Sequence, residues 1–86
     1  METIDINKLS YEEKIDLASN NETSAELLAI LAKDVDIDVR VAVAENPRTP
    51  YNTLIMLTKV KALEIREKAK EILKERTLKA NTNKER

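Results

Sequence analysis

Two consecutive segments, ASNNETSAELLAILAKDVDIDVRVAV (residues 18–43, the first unit) and AENPRTPYNTLIMLTKVKALEIREKA (residues 44–69, the second unit), decide the fold because they align without a gap. We call the constant shift between them, from Ala18 to Ala44, the repeat offset. Apolar, polar and turn positions coincide together, and a period of about 20 to 50 residues is typical of solenoid proteins. The identical pairs are Ala18/Ala44, Asn20/Asn46, Thr23/Thr49, Leu28/Leu54, Leu31/Leu57, Lys33/Lys59 and Arg40/Arg66.

The repeat offset also applies towards the N-terminus. It pairs Tyr11 with Ile37 and Ile15 with Val41. The chain therefore begins with the second half of a degenerate unit.

Each unit is predicted to contain two short helices. In the first unit, Thr23 with Glu26 three residues later is a capping-box pattern. In the second unit, Thr49 is the corresponding cap, and Pro50 follows at the first helical position, where a missing N–H costs nothing.

The chain has no glycine to end a helix in the left-handed conformation. Asn20 and Asn46 are the residues best able to adopt that conformation, and we predict that they do so between the units.

The second helix of a unit is harder to predict, because the sequence DVDID alternates with the period of a strand. Its aligned counterpart, KALEIREKAKEILKER, has Ile65 and Ala69 at helical spacing and is rich in good helix formers. The counterpart nearer the N-terminus, SYEEKIDLAS, starts with a second capping-box pattern, Ser10 and Glu13. Equivalent positions should share a conformation, so helix is preferred over strand.

These patterns predict an all-α protein, with residues 1–80 as a single helical-repeat domain and residues 81–86 as a polar C-terminal tail. The predicted helices lie near residues 10–19, 24–33, 37–45, 50–59 and 62–79. The predicted core consists of Ile15, Leu17, Leu28, Leu31, Val39, Val43, Leu54, Leu57, Ile65, Ala69 and Ile72.

The run LAKDVDIDVRVAVAENPRTPYNTLIMLTK, which crosses from the first unit into the second, resembles the variant leucine-rich repeat. In the first unit Asn21 and Ser24 stand in place of that pattern's two prolines. The resemblance implies a short right-handed α-solenoid, HEAT-like in outline, with no enzymatic activity. The matching residues are Leu31, Ala32, Asp34, Asp36, Val39, Arg40, Val43, Ala44, Asn46, Pro47, Thr49, Pro50, Leu54 and Leu57.

Composition excludes several kinds of chemistry. The 86 residues include no glycine, cysteine or histidine, so a phosphate-cradling loop, an ordinary zinc or haem site and thiol or imidazole catalysis are all excluded. We therefore predict a non-enzymatic protein without catalytic residues, cofactor or metal. No stretch has the ~20 apolar residues of a membrane span, and the N-terminus lacks a signal-peptide pattern, so we expect a cytoplasmic protein away from the membrane.

One acidic pattern offers an alternative to the metal-free prediction. Asp34, Asp36, Asp38 and Glu45 occupy positions 1, 3, 5 and 12 of a calcium-loop pattern. Position 6 is Val39, where the loop needs glycine. We prefer to interpret these acids as residues near a helix N-terminus, where they favour the helix dipole.

Three residues in the units are candidates for binding. Arg40 and Arg66 recur at one repeat position and could form a ladder for an acidic ligand. We prefer the alternative that each pairs with a local carboxylate or carbonyl, as Arg40 would with Asp36. Tyr51, one of two aromatic residues, either anchors a partner or fills a gap between helices.

Charge is unevenly distributed, with five bases against eleven acids up to Thr58 and ten bases against five acids after it. Lys70 and Lys74 in the basic part are candidates for contact with nucleic-acid phosphate. The interspersed acids and the scarcity of aromatic residues weaken that alternative. We predict a protein–protein interaction module, with nucleic-acid binding as the second possibility, and a monomer rather than a homodimer formed through the last helix.

Overall fold

The computed structural model of the chain describes the backbone of residues 5–84 and the side chains of residues 5–79. A 3-10 turn at Ile6–Lys8 precedes five α-helices, and no strand occurs in this range. The all-α prediction is confirmed, and the strand alternative for the DVDID segment is wrong. The helices are α1 (Tyr11–Ser19), α2 (Ala25–Leu31), α3 (Ile37–Glu45), α4 (Tyr51–Leu57) and α5 (Leu63–Lys84).

The helix bounds recur at the repeat offset found in the sequence. Helix α3 begins and ends one repeat offset after α1, and α4 begins and ends one repeat offset after α2. Helix α5 also begins one repeat offset after α3 but is longer, with 22 residues against nine. It continues beyond the predicted end at residue 79, and its last turn includes the start of the predicted tail, residues 81–86. Residues 85 and 86 of that tail lie outside the described residues.

Helices α1, α3 and α5 pack side by side, with α3 in the middle. The hydroxyl of Tyr11, at the start of α1, donates to Asp38 near the start of α3. At the other end, Asn46 Nδ2, just after α3, donates to the carbonyl of Ala18 at 2.7 Å. Because start meets start and end meets end, α1 and α3 run in the same direction. Helix α2 packs against α1 and α3, and α4 packs against α3 and α5.

Most of the predicted core is buried. Ile15, Leu17 and Ile72 are the exceptions, since they are only partly buried against the core. All three lie on α1 or α5, the outer members of the row of three helices, where a neighbour is missing on one side. The prediction omitted the small residues Ala18, Ala32 and Ala44, at most 1% exposed, which let neighbouring helices approach closely. The fully buried predicted residues are Leu28, Leu31, Val39, Val43, Leu54, Leu57, Ile65 and Ala69.

The capping box of α1 is confirmed. Ser10 Oγ accepts from the N–H of Glu13 at 3.1 Å, and Glu13 Oε1 accepts from the N–H of Ser10 at 2.9 Å. Each free N–H at this end of the helix is thereby satisfied by a side chain.

The predicted caps of α2 and α4 are wrong by one residue. Ser24 rather than Thr23 caps α2, and its Oγ accepts from the N–H of Leu27 at 3.1 Å. Pro50 rather than Thr49 is the N-cap of α4. Both threonines are buried, with 7% and 1% of their surface exposed.

The two threonine hydroxyls face backwards along the chain instead. Thr23 Oγ1 donates to the carbonyl of Leu17, and Thr49 Oγ1 donates to the carbonyl of Val43, both at 2.6 Å. Each hydroxyl therefore adds a second hydrogen bond to a carbonyl near the end of the preceding helix, which also accepts from the N–H of the following asparagine.

Two connections of the same length join the helices at this edge: the first turn (residues 20–24) and the second turn (residues 46–50). The predicted left-handed conformation is wrong, because Asn20 and Asn46 have φ of −80° and −74°. Their side chains build the turns. Asn20 Oδ1 accepts from the N–H of Glu22, and Asn46 Oδ1 accepts from the N–H of Arg48, both at 2.8 Å. A side-chain turn of this kind needs no positive φ.

Of the helices in residues 5–84, none combines the length and the apolar character that crossing a bilayer requires.

Candidate interaction surface

Helices α1, α3 and α5 each begin with an exposed apolar residue. These three residues, Tyr11, Ile37 and Leu63, form what we call the N-terminal row. Their exposed fractions are 49%, 42% and 61%. Tyr11 and Ile37 lie at helix starts that meet at one edge of the helix layer, and Leu63 begins the helix that packs beside α3.

An acidic residue follows each member of the row. Glu12, Asp38 and Glu64 are the second residues of α1, α3 and α5, and all are exposed. Carboxylates in a first turn are stabilised by the helix dipole, which explains their position without reference to function. They nevertheless place negative charge directly beside the apolar row.

Tyr11 is sensitive to this negative charge. Its pKa is raised by the hydrogen bond to Asp38, by burial, and by the charges of Asp38, Asp36 and Glu12. Each of these makes the phenolate form less favourable. The acids therefore act together at the α1–α3 end of the row.

A partly buried ion pair lies below the row. Lys14 Nζ on α1 is 2.8 Å from Asp34 Oδ2, and the two side chains are 14% and 5% exposed. Asp34 Oδ1 also accepts from the N–H of Asp36 at 2.9 Å. Burial alone would raise the pKa of Asp34, but the hydrogen bonds from Lys14 and Asp36 and the charges of Lys14 and Arg40 together lower it.

Arg40 and Arg66, the predicted ladder, have different surroundings. Arg66 Nη1 donates to the carbonyls of Val60 and Lys61 at 3.2 and 3.3 Å, which agrees with the local-pairing alternative. Arg40 is partly buried, and its Nε has no hydrogen-bond partner among the described residues. Its charge contributes to the lowered pKa of Asp34.

Tyr51 is the first residue of α4 and is 56% exposed. Ile55 lies one helical turn further and is 37% exposed. Tyr51 is accessible to a partner, which favours the anchor over the gap-filling role.

Lys70 and Lys74 are exposed and one helical turn apart on α5. Lys70 Nζ is 3.7 Å from Glu67 Oε2. Nearby, Lys68 Nζ is 3.2 Å from Glu45 Oε2 on α3, and this hydrogen bond raises the pKa of Lys68. The basic helix is therefore neutralised in part by acids.

The acids of the calcium-loop pattern face different partners. Asp34 binds Lys14 and Asp38 accepts from Tyr11, while Glu45 pairs with Lys68. In the part of the chain that the structure describes, no group of three or more Asp, Glu, His or Cys side chains is arranged to hold a metal ion.

An open groove of about 770 Å³ lies beside α2 and has apolar and charged walls. Its lining residues are Asp5, Ile6, Asn7, Ala29, Ile30, Lys33 and Asp34.

The N-terminal row was not among the candidate binding residues predicted from the sequence. The signal was present, since Tyr11, Ile37 and Leu63 are related by the repeat offset. What the sequence does not reveal is their exposure, because apolar residues at equivalent positions are usually core.

Comparisons with known protein families, with curated proteins and with solved structures found no match for this chain.

Proposed function

We propose that the chain is a short right-handed α-solenoid, similar to the variant leucine-rich repeat, that works as a non-enzymatic protein–protein interaction module in the cytoplasm. The observation that carries the proposal is the N-terminal row. Tyr11, Ile37 and Leu63 expose apolar surface at equivalent positions of three neighbouring helices. Exposed apolar residues that recur at one position of adjacent helices suit a contact surface, whereas singly scattered ones need no explanation.

The solenoid part of the proposal is supported by the regular interval between helices. The bounds of α1 and α3, and of α2 and α4, are related by the repeat offset, and α3 contacts all the other α-helices. In a solenoid each unit contacts only its neighbours and leaves a ridged surface for binding.

A photo-crosslinking experiment tests the interaction function. p-Benzoylphenylalanine replaces Ile37 in one protein and Glu26, exposed on α2, in a matched control. Both are irradiated in an extract of the cells that make the protein. We expect protein adducts at position 37 that excess unlabelled chain abolishes, with far fewer at position 26. Lack of any adduct that the chain competes away, at either position, would refute the proposal.

Nucleic-acid binding is the second candidate, favoured by the exposed Lys70 and Lys74 on one side of α5. A gel shift with mixed-sequence DNA and RNA at low salt tests it. We expect no shift, because Glu67 and other acids of α5 oppose phosphate. A salt-sensitive shift that is lost in the K70E/K74E variant would make nucleic acid the preferred ligand.

The monomer remains our preferred oligomeric state, with a homodimer through α5 as the rival. Light scattering across a concentration series distinguishes them, and a dimer mass at micromolar protein would overturn the monomer.

A further inference from the structure

We infer that the N-terminal row binds a basic amphipathic helix of a partner protein, an inference that rests on the proposed function and specifies the face and the chemistry of the partner. The face combines three apolar side chains with three adjacent carboxylates. A complementary segment must present an apolar stripe with cations beside it.

Glu12 and Glu64 are exposed and available to a partner, whereas Asp38 already accepts from Tyr11. No ion pair among the described residues involves Glu12, Asp38 or Glu64. Among the cations of the same helices, Lys14 pairs with Asp34 and Arg66 donates to backbone carbonyls. Lys68 pairs with Glu45, and the charge of Glu64 also contributes to its raised pKa. The exposed carboxylates of Glu12 and Glu64 therefore place negative charge beside the row.

The spacing of the row favours a helical partner. Axes of packed helices are about 8–10 Å apart, and α3 packs against α1 on one side and α5 on the other. Seven residues of an α-helix rise about 10.5 Å. A partner helix that crosses the three helix starts can therefore place one apolar residue per heptad against Tyr11, Ile37 and Leu63.

A second copy of this chain fits the face less well. Its basic segment is α5, where acids such as Glu67, Glu71 and Glu75 alternate with the bases. The exposed part of α5 thus has mixed charge, whereas the row requires cations flanking an apolar stripe. Self-association is therefore an outcome that the experiment must be able to detect.

Fluorescence anisotropy with a defined probe tests the inference. The probe is a labelled three-heptad peptide of Leu, Ala and Lys with one leucine per heptad and lysines beside it. The control peptide has Glu in place of every Lys. We expect saturable binding of the lysine peptide that weakens with salt, and none of the glutamate peptide.

Two pairs of variants locate the site. The apolar pair is I37S/L63S, with Y51S/I55S on α4 as its control. The charge pair is E12Q/E64Q, with E22Q/E26Q, which also removes two exposed carboxylates, as its control. All eight side chains are exposed, so circular dichroism should show an unchanged fold. We expect each row variant to weaken binding by about tenfold and each control by less than about twofold.

Three results would overturn the inference: no binding of the lysine peptide, equal weakening by row and control variants, or loss of a chain dimer in parallel with loss of binding. The last would assign the face to a second copy.

If crosslinking finds a protein partner while the row variants leave its binding unchanged, the inference fails but the proposed function stands. If no protein is crosslinked, the proposed function itself fails.

Discussion

The first and second turns have the same framework but different surroundings. Both contain an asparagine that accepts from the N–H two residues later and a threonine that donates to a carbonyl of the preceding helix. Asn20 is exposed, whereas Asn46 is 2% exposed. Asn46 Nδ2 also donates to the carbonyls of Ala18 and Asn20 at 2.7 and 3.0 Å.

The prolines do not make the difference. The second turn has Pro47 and Pro50, and the first has Asn21 and Ser24 at the same positions, yet both turns lead into helices of seven residues. The second turn also lies against Arg76 of α5, whose Nη1 donates to the carbonyl of Thr49 at 2.8 Å. Neighbours on both sides, rather than proline, bury the second turn.

The largest expected effect is in the core, where the two units should behave alike. Leu31 and Leu57 are equivalent and both 0% exposed. Replacing either with Ala should destabilise the protein by about 2–5 kcal/mol through lost burial and the remaining cavity. Urea denaturation measures this loss. A pair of values that differ by more than about 2 kcal/mol would break the equivalence of the units.

Replacing the two asparagines should have different effects on the free energy of unfolding. Asn46→Ala leaves two carbonyls without their donor and should cost about 1–3 kcal/mol. Asn20→Ala removes one exposed hydrogen bond and should cost about 0.5–1.5 kcal/mol. Equal losses of free energy of unfolding would show that burial of the second turn contributes nothing.

The partly buried ion pair Lys14–Asp34 should make the packing around α1 sensitive to acid. The residues one repeat offset later are Arg40 and Val60, which cannot form such a pair. Because the pKa of Asp34 is lowered in the folded state, the pair stabilises at neutral pH, and this contribution is lost as pH falls through about 4 and below. Thermal unfolding from pH 7 to pH 3 should show a shallower acid dependence for Asp34→Asn than for the wild type; an identical dependence would contradict the assignment.

Replacing the helix caps should change the free energy of unfolding least. Ser24→Ala removes the side-chain acceptor of the Leu27 N–H and should cost about 1 kcal/mol. Pro50 makes no side-chain capping bond, so Pro50→Ala should cost only about 0.4–1 kcal/mol through the unfolded chain. Urea denaturation of the two variants measures these losses. A larger loss of free energy of unfolding for Pro50→Ala than for Ser24→Ala would show that the proline matters more than the serine cap.

The sequence predicted the helices well because apolar spacing and the Ser10 capping box act locally. It failed at Thr23 and Thr49, where a cap pattern and a buried hydroxyl that faces the previous helix have the same sequence signature. Tertiary contacts decide between them. The local pairing of Arg66 was anticipated, but exposure of Ile37 and Leu63 was not, because exposure depends on which helix faces lack a neighbour.

The most direct test of the account lengthens the chain by one unit. A second copy of residues 20–45 is inserted between Glu45 and Asn46, so that the end of each α3 helix is followed by one of the two turns already present. In a solenoid the added unit buries new surface against both neighbours. The matched control is a Gly/Ser insertion of the same length at the same place.

Urea denaturation provides the decisive result. We predict that the added unit raises both the free energy of unfolding and the m-value, the latter by about one third, because m follows the surface exposed on unfolding. The Gly/Ser insertion should raise neither. A lengthened chain with an unchanged m-value and lower stability would contradict the claim that these helices are stacked repeats.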